Sequence, residues 1–322
     1  MRSFWDGQPE ISRDLEEVRE TIVRCAATDD ADVHAAIGQL LAASGKMLRP
    51  AFVLLASRFG APDHGRIIRI GAAVEMLHMA TLVHDDIIDG APFRRGVATL
   101  NAARGPRTAV LVGDWLFASC FSLIADIART ENARALSHMV ARICASEIGQ
   151  SSDRFVVHTS RRRYLRRITG KTAALFALSF YVGAVESGCS EEVNSILRRL
   201  GYCVGMCFQI VDDILDFSPR TAETGKPSGS DLLLGVLTLP TILALRSDDG
   251  GGLSRILGRG RLSRRAATRA AHMIAVHGGI DAARGEAEAY TRRAQREIGR
   301  LPRSEARGIL QDVTTRLLNR TW

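Results

Sequence analysis

Six cysteines scattered through 322 residues do not make a disulfide framework. Cys25, Cys120, Cys144, Cys189, Cys203 and Cys207 read mostly as small core residues in a reducing compartment. Cys203 and Cys207 share a helix face, but no histidine or further cysteine joins them at metal-site spacing. Long apolar runs are missing too. No stretch approaches ~20 uninterrupted apolar residues, and the N-terminus, MRSFWDGQPE, lacks the apolar core of a signal peptide. A soluble, cytoplasmic protein with no transmembrane segment is therefore expected. No Pro/Ser-rich linker divides the chain, so residues 1–322 are expected to form a single domain, although such a length often means two. Zinc-finger spacing and other nucleic-acid signatures are absent, so no nucleic-acid partner is expected. Lysine is scarce as well, at three residues against forty arginines.

What is present is ordinary globular material, 46% hydrophobic and 24% charged, ample for a large core. The net charge of +8 comes mainly from arginine and is spread from Arg2 to Arg320. It reads as a solvated helical surface, with attraction of anions as the functional alternative. One stretch stands apart. EMLHMATLVHDDIIDGAPFRRG, residues 75–96, packs Asp85, Asp86 and Asp89 into five residues behind an apolar run. Asp85 and Asp89 stand at i and i+4, so on a helix they share a face and repel. Met76, Leu77, Met79, Leu82 and Val83 read as interior, and charges are seldom buried there without a partner. A cation is expected. Oxygen-only donors favour a hard ion, and Mg²⁺ binds through one or two carboxylates plus substrate phosphates. Arg94 and Arg95 follow with the forked donors that hold phosphate. The pattern recurs in FQIVDDILDF, residues 208–217, with Asp212, Asp213 and Asp216, and with Gln209 one turn before Asp213. A single DDxxD on a helix is an ordinary solvated acidic turn. Two apolar-flanked copies, one trailed by paired arginines, are far more specific.

On these residues the chain resembles the trans-isoprenyl diphosphate synthases, and in texture the medium- and long-chain polyprenyl enzymes most. The resemblance runs from about Ser44 to Pro240 by motif and further by helical texture. It implies an all-α fold of the isoprenoid synthase type, one large helical bundle around a central cavity that both motifs face. It also implies isopentenyl diphosphate and an allylic diphosphate as substrates, with two or three Mg²⁺ ions. SGKMLRP, carrying Lys46 and Arg49, resembles the GGKxxRP segment that holds isopentenyl diphosphate; Ser44 replaces its first glycine and leaves both cations in place. His78, about two turns before Asp85 on the same face, matches a diphosphate-binding histidine, and His84 reads as support for the neighbouring carboxylates. Arg94-Arg95-Gly96 resembles RRG, whose first arginine serves the allylic diphosphate and whose second serves isopentenyl diphosphate. In GKTAALF, Lys171 would hold the leaving diphosphate and Thr172 would offer its oxygen to developing positive charge. Lys226 matches the lysine of GKxxGxD, whereas Val236 stands where a second diphosphate-binding lysine is usual. Asp85, Asp89 and Asp212 would hold metal, with Asp86, Asp213, Asp216 and Gln209 completing or supporting the shell.

The remaining segments read as scaffold. Helical periodicity covers Ile11 to Ala27, Val33 to Ala43, Phe52 to Phe59, Ile67 to Ile88, Ala133 to Gln150 and Glu191 to Met206. Ala109 to Ala128 is nearly all apolar, yet its length and its central Asp114 favour a buried core helix over a membrane span. Ser218 to Leu232 is rich in Pro and Gly and reads as loop. Arg161, Arg162, Arg163, Arg166 and Arg167 crowd around Tyr164 and read as a solvated face without chemistry. The C-terminal third carries arginine-rich helices and no motif.

The chemistry so implied needs no nucleophilic side chain. An allylic C–O bond breaks to a resonance-stabilised cation once the departing diphosphate is neutralised, which is electrostatic and Lewis-acid work. Apolar walls keep water from quenching the cation. A terpene cyclase would start from the same first motif but resembles a different second one, and a regulatory subunit would usually lack both. A homodimer is expected, paired across the apolar helix from Ala109, with a transient membrane contact for product release. Ala80 and Thr81, five and four residues before Asp85, lie about one turn deeper along the helix, ~6–7 Å at ~1.5 Å per residue. In the resembling family, aromatic residues there stop the growing chain. Small ones imply a product longer than twenty carbons, with Phe117 or Phe121 as the deeper floor; the alternative is a geranylgeranyl diphosphate synthase.

Overall fold

A computed structural model describes residues 4–94, 96–127, 130–152, 154–157, 160–217 and 229–318. The described chain is helical almost throughout. It opens with α1 (Pro9–Cys25), α2 (Ala31–Ala42), α3 (Leu48–Ser57) and α4 (His64–Ile88), followed by the strands β1 (Phe93–Arg94) and β2 (Val97–Ala98). These two pair antiparallel, Phe93 opposite Ala98. Then come α5 (Leu100–Ile127), α6 (Thr130–Ser152), α7 (Arg161–Ile168), a π turn (Thr169–Ala173), α8 (Ala174–Glu186) and α9 (Glu191–Leu215). Shorter pieces, α10 (Ser230–Leu233), α11 (Leu239–Ala244) and α12 (Gly252–Leu257), lead to α13 (Arg264–Val276), α14 (Gly279–Arg300) and α15 (Glu305–Leu318). The residues gather into two compact units, Met1–Leu136 with Ser179–Leu197, and Ser137–Leu178 with Arg198–Trp322.

The first unit is built on α4, against which α1, α3 and α5 pack. A helix apolar on every side must be wrapped by others, and α4 buries Ile67, Ile70, Val74, Met76, Leu77, Ala80 and Val83 alike. α1 offers the narrower stripe of Ile11, Leu15, Val18 and Ile22. Phe52 of α3 stacks on Phe180 of α8 at 4.6 Å. Close approach there needs Gly183, since a Cβ at that position would come within 2.3 Å of the Val53 carbonyl oxygen. α5 kinks at Gly105 (φ 81) and Pro106. It turns Ala109, Val112, Leu116 and Cys120 inward and leaves Val110, Leu111, Trp115 and Phe121 exposed.

In the second unit α11 packs on α14. α14 begins with Gly279, where a Cβ would meet the Pro240 carbonyl oxygen at 2.2 Å. Ala283, Ala287, Ala294 and Ile298 continue the buried stripe of α14, and Leu310, Val313 and Leu317 that of α15. Phe176 and Phe208 pack ring to ring at 5.4 Å.

Several boundaries differ from expectation. α3 starts at Leu48, so Pro50 sits in a first helical turn, where a missing N–H costs nothing. α5 begins at Leu100 rather than Ala109, because the helical path resumes across the Gly105 kink. Ser230–Leu233 forms one helical turn at the end of the stretch read as loop, and residues 218–228 of that stretch lie outside the described residues. Among the described residues three helical stretches are long and apolar enough to cross a membrane, His64–Ile88, Leu100–Asp126 and Arg161–Glu186. The fold buries 72% of the apolar window in the first and third and 44% in the second.

Candidate active site

In the first unit the acidic cluster occupies the last turn and C-cap of α4. Three carboxylates at the negative end of a helix dipole are unfavourable by position as well as by mutual repulsion. The β1–β2 turn answers part of this. It returns Arg94 onto Asp86, with Nε donating at 2.9 and 3.1 Å and Nη2 at 2.7 Å. Asp86 is 6% exposed, so this forked, charge-assisted pair is what permits its burial. Asp85 and Asp89 stand one turn apart, each partly open to solvent. Arg95 lies outside the described residues.

One further pair of candidates meets in this unit. Arg49 Nη1 lies 2.9 Å from His78 Nε2. Arginine can only donate, so that histidine nitrogen accepts and the proton of a neutral ring sits on Nδ1. The Lys46 loop is tied down by the N-terminus, a role the motif pattern did not disclose: buried Trp5 donates its indole N–H to the Lys46 carbonyl at 2.6 Å, and Lys46 Nζ sits 4.7 Å from the Phe4 ring centroid. Indole needs a partner when buried, which is the signal that could have found it.

His84 does not brace the carboxylates. Its ring faces α5, with Nε2 3.4 Å from the Val110 carbonyl and 3.5 Å from Asp114, and Phe117 tilted against it at 5.5 Å. A Cβ on Gly113 would overlap this ring. Cys120, further along α5, lies against the Leu77 backbone, and burial pushes its thiol up to about 12. α4 and α5 thus run antiparallel, and the α4 strip that meets α5 includes Leu77, Ala80 and His84. Ala80 is fully buried on that strip, whereas Thr81 belongs to the strip of His78 and Asp85 and donates to the His78 carbonyl at 2.7 Å. Phe117 is half-buried near the strip. Phe121, one turn further, is 40% exposed, and a ring open to solvent closes no tunnel within this chain.

In the second unit the π turn carries Lys171 and Thr172, an irregularity common at functional sites. Thr172 donates its hydroxyl to Gln209 Oε1 at 2.7 Å, Gln209 Nε2 donates to Asp213 Oδ1 at 2.8 Å, and Tyr164 donates to Asp213 Oδ2 at 2.6 Å. With its proton given to Gln209, Thr172 keeps its oxygen lone pairs. Burial pushes Asp213 up to about 6, against the pull of the Tyr164 and Gln209 hydrogen bonds. Burial, then the Asp213 charge, raises the Tyr164 phenol well above its ordinary value, so it stays a donor. Asp216 accepts from Ser230 N at 3.2 Å, Ser230 Oγ at 2.5 Å and Asp231 N at 3.2 Å, anchoring the chain that enters α10. Arg167 stacks over the Tyr164 ring at 5.4 Å and donates to the Leu237 carbonyl at 3.0 Å, beside Val236. Lys226 lies outside the described residues. The arginine-rich segment read as wholly solvated therefore contributes the buried Tyr164 and the anchored Arg167.

Both motifs are sets of oxygen donors. Asp86, Asp213 and Asp216 accept from Arg94, Tyr164, Gln209 and Ser230, and Asp85, Asp89 and Asp212 are half-buried beside them. That donor chemistry fits a hard divalent cation. Outside the motifs, Asp14, Glu17 and His64 bring ligand atoms within 4.8 Å of one another. Arg58 lies 3.5 Å from Asp14, and His64 pairs with Glu17 at 2.9 Å, which accounts for the trio as a surface ion-pair cluster.

Comparison with known proteins places this arrangement. A sequence model described as polyprenyl synthetase matches residues 30–274. Heptaprenyl diphosphate synthase component 2 of Geobacillus stearothermophilus is 38% identical over 309 residues, 94% of each chain. The crystal structure of heptaprenyl diphosphate synthase from Staphylococcus aureus superposes with a TM-score of 0.92 at 32% identity, over 97% of this chain and 98% of that one. Geranylgeranyl pyrophosphate synthase from Lactobacillus brevis gives 0.91 at 33% identity, over 99% and 100%.

Proposed function

Since this chain belongs to the polyprenyl synthetase family and is a trans-polyprenyl diphosphate synthase, we propose that it condenses isopentenyl diphosphate with a farnesyl or geranylgeranyl starter to give a product longer than twenty carbons. The observation that carries this reading is the repeated oxygen-donor motif: Asp86, Asp213 and Asp216 are held in place by Arg94, Tyr164, Gln209 and Ser230, and Asp85, Asp89 and Asp212 stand beside them partly open to solvent.

Asp85, Asp89 and Asp212 would hold Mg²⁺. The bound ions supply Lewis-acid neutralisation of the allylic diphosphate. The protein does the rest. Arg94 and Lys171 add positive charge for the leaving group, Arg94 while still clamped on Asp86. Lys46, Arg49 and His78 receive isopentenyl diphosphate, and the Trp5 hydrogen bond fixes the loop that carries Lys46. Thr172 turns its lone pairs toward the developing cation, held so by Gln209 and, through Asp213, by Tyr164. Arg95 and Lys226 join the diphosphate contacts on this reading, and the departing diphosphate takes the final proton.

The test is chromatographic product analysis after the purified chain is incubated with isopentenyl and farnesyl diphosphates and Mg²⁺, with Asp85→Ala as the inactive control. Products longer than twenty carbons support the reading; a product stopping at twenty replaces it with a geranylgeranyl synthase. A second reading is favoured by one observation, the name "component 2" borne by the 38% identical relative. On it the chain is the catalytic member of a two-component enzyme. No turnover by a folded chain alone, with turnover restored by a second subunit, would select that reading.

A further inference from the structure

Charge is divided unevenly between the two units. The second holds 28 of the 43 Lys and Arg residues against 15 of the 35 Asp and Glu, a formal +13, while the first stands at −5. Its densest part is α7. Arg161, Arg162, Arg163 and Arg166 are exposed, while Tyr164 and Ile168 face inward. Ser160, Arg162, Arg163 and Arg166 together line a surface hollow of about 380 Å³.

The local structure of α7 does not favour its cations. The first turn contains three arginines and no acid, opposed to the positive end of the helix dipole. Arg162 and Arg166 stand at i and i+4, a repulsive spacing. Arg161 has a forked partner, Glu286, at 2.8 Å through both nitrogens. Among the described residues no carboxylate is within ion-pair reach of Arg162 or Arg166. The same unit also leaves large apolar side chains exposed. Phe155 and Val156, just before Ser160, are 39% and 41% exposed, and Leu234 is 38% exposed. Phe155 is held in a left-handed conformation (φ 62), its N–H on the Gly235 carbonyl at 2.8 Å and its ring over Gly235. A non-glycine residue in that region costs energy unless its surroundings hold it there.

A basic helix face preceded in the chain by exposed apolar side chains supplies the two parts of an interfacial lipid contact, one drawn to anionic headgroups and the other to the acyl boundary. We propose that the α7 face, Arg162, Arg163 and Arg166 with Phe155, Val156 and Leu234, docks on an anionic lipid bilayer. The occupant follows from the product as well as the charge. A polyprenyl diphosphate longer than twenty carbons is an amphiphile whose tail leaves for lipid, not water; this part of the argument rests on the proposed function. The bilayer would thus receive what the enzyme releases.

The experiment is co-sedimentation of the full chain with phosphatidylcholine vesicles, with and without phosphatidylglycerol, at low and physiological salt. Binding should require the anionic lipid and weaken with salt. The double variant Arg162→Gln/Arg166→Gln should bind roughly thirtyfold more weakly, as expected for two arginines at a charged surface. Val156→Ser should weaken binding several-fold at constant salt. Both variants should keep wild-type turnover in detergent. Equal binding to neutral vesicles, or no loss in the double variant, overturns the proposal. So does a loss in the double variant with none in Val156→Ser and equal competition by soluble polyphosphate, which would make the face a polyanion site. Vesicle binding is read without turnover, so a chain that binds as described but makes no long product refutes the proposed function and leaves the lipid surface standing.

Discussion

Tyr164 shows at the scale of one residue what a motif search passes over. It lies among five arginines, where composition says surface, and is completely buried with its hydroxyl 2.6 Å from Asp213. No spacing rule joins residues 49 positions apart. Tyr164→Phe removes the donor and leaves a buried carboxylate oxygen unsatisfied, a loss of about 1–3 kcal/mol, read as a lower urea midpoint. If the phenol also positions Asp213 and Gln209, kcat should fall with little change in the allylic KM; an unchanged kcat would confine Tyr164 to stability. Asp213 itself makes a prediction about pH. Its carboxyl titrates near 6 in the fold and from 3.8 when unfolded. Between those values the folded chain holds a proton that the unfolded chain has lost, so this group's contribution to stability falls as pH rises through the window. Asp213→Asn removes that slope. Metal-free urea melts at pH 4 and pH 7 should show a smaller relative loss toward neutral pH in the variant, and identical pH dependence would contradict the assignment. The three lysines, by contrast, were plain from the sequence: Lys46, Lys171 and Lys226 are the whole complement, and each falls in a segment that resembles a diphosphate contact. Inorganic diphosphate with Mg²⁺ should therefore protect all three from an amine-reactive reagent, as peptide mapping would show; labelling unchanged at all three would remove them from the site.

Among the elements, α4 was legible because an apolar run ending in carboxylates has few uses other than a buried helix that ends at a site. Its partner was not. That Ala80 faces α5 while Thr81 shares a strip with His78 and Asp85 follows from the 100° step between neighbours once the direction of α5 is known. Their sequence positions treat them as equivalent; their faces do not. Ala80→Phe puts a ring on the fully buried strip opposite α5 and should shorten the product to fifteen or twenty carbons, measured by chromatography of the dephosphorylated products. Thr81→Phe, on the carboxylate strip, should depress turnover more than length. An unchanged product from Ala80→Phe would mean that the chain does not grow along this strip. His84 turned toward α5 for a reason equally hidden from sequence, since the room for its ring is made by Gly113 on another helix.

For the molecule as a whole, the exposed row Val110, Leu111, Trp115 and Phe121 on α5 is apolar surface that a lone chain leaves in water. A homodimer across this helix would cover it. Sedimentation at micromolar concentration should give twice the 35.0 kDa chain mass, and Leu111→Asp should return a monomer; a monomeric wild type would contradict the pairing and favour a second kind of subunit. Helical character, two oxygen-donor motifs with cationic companions and membership of the polyprenyl synthetases are all readable from the order of residues. Those properties are local, written in a 3.6-residue period and in residue types a few positions apart. That Asp86, Asp213 and Asp216 meet Arg94, Tyr164 and Ser230 is set by the folded chain alone, because satisfying a charge away from water depends on donors that come from elsewhere in the sequence.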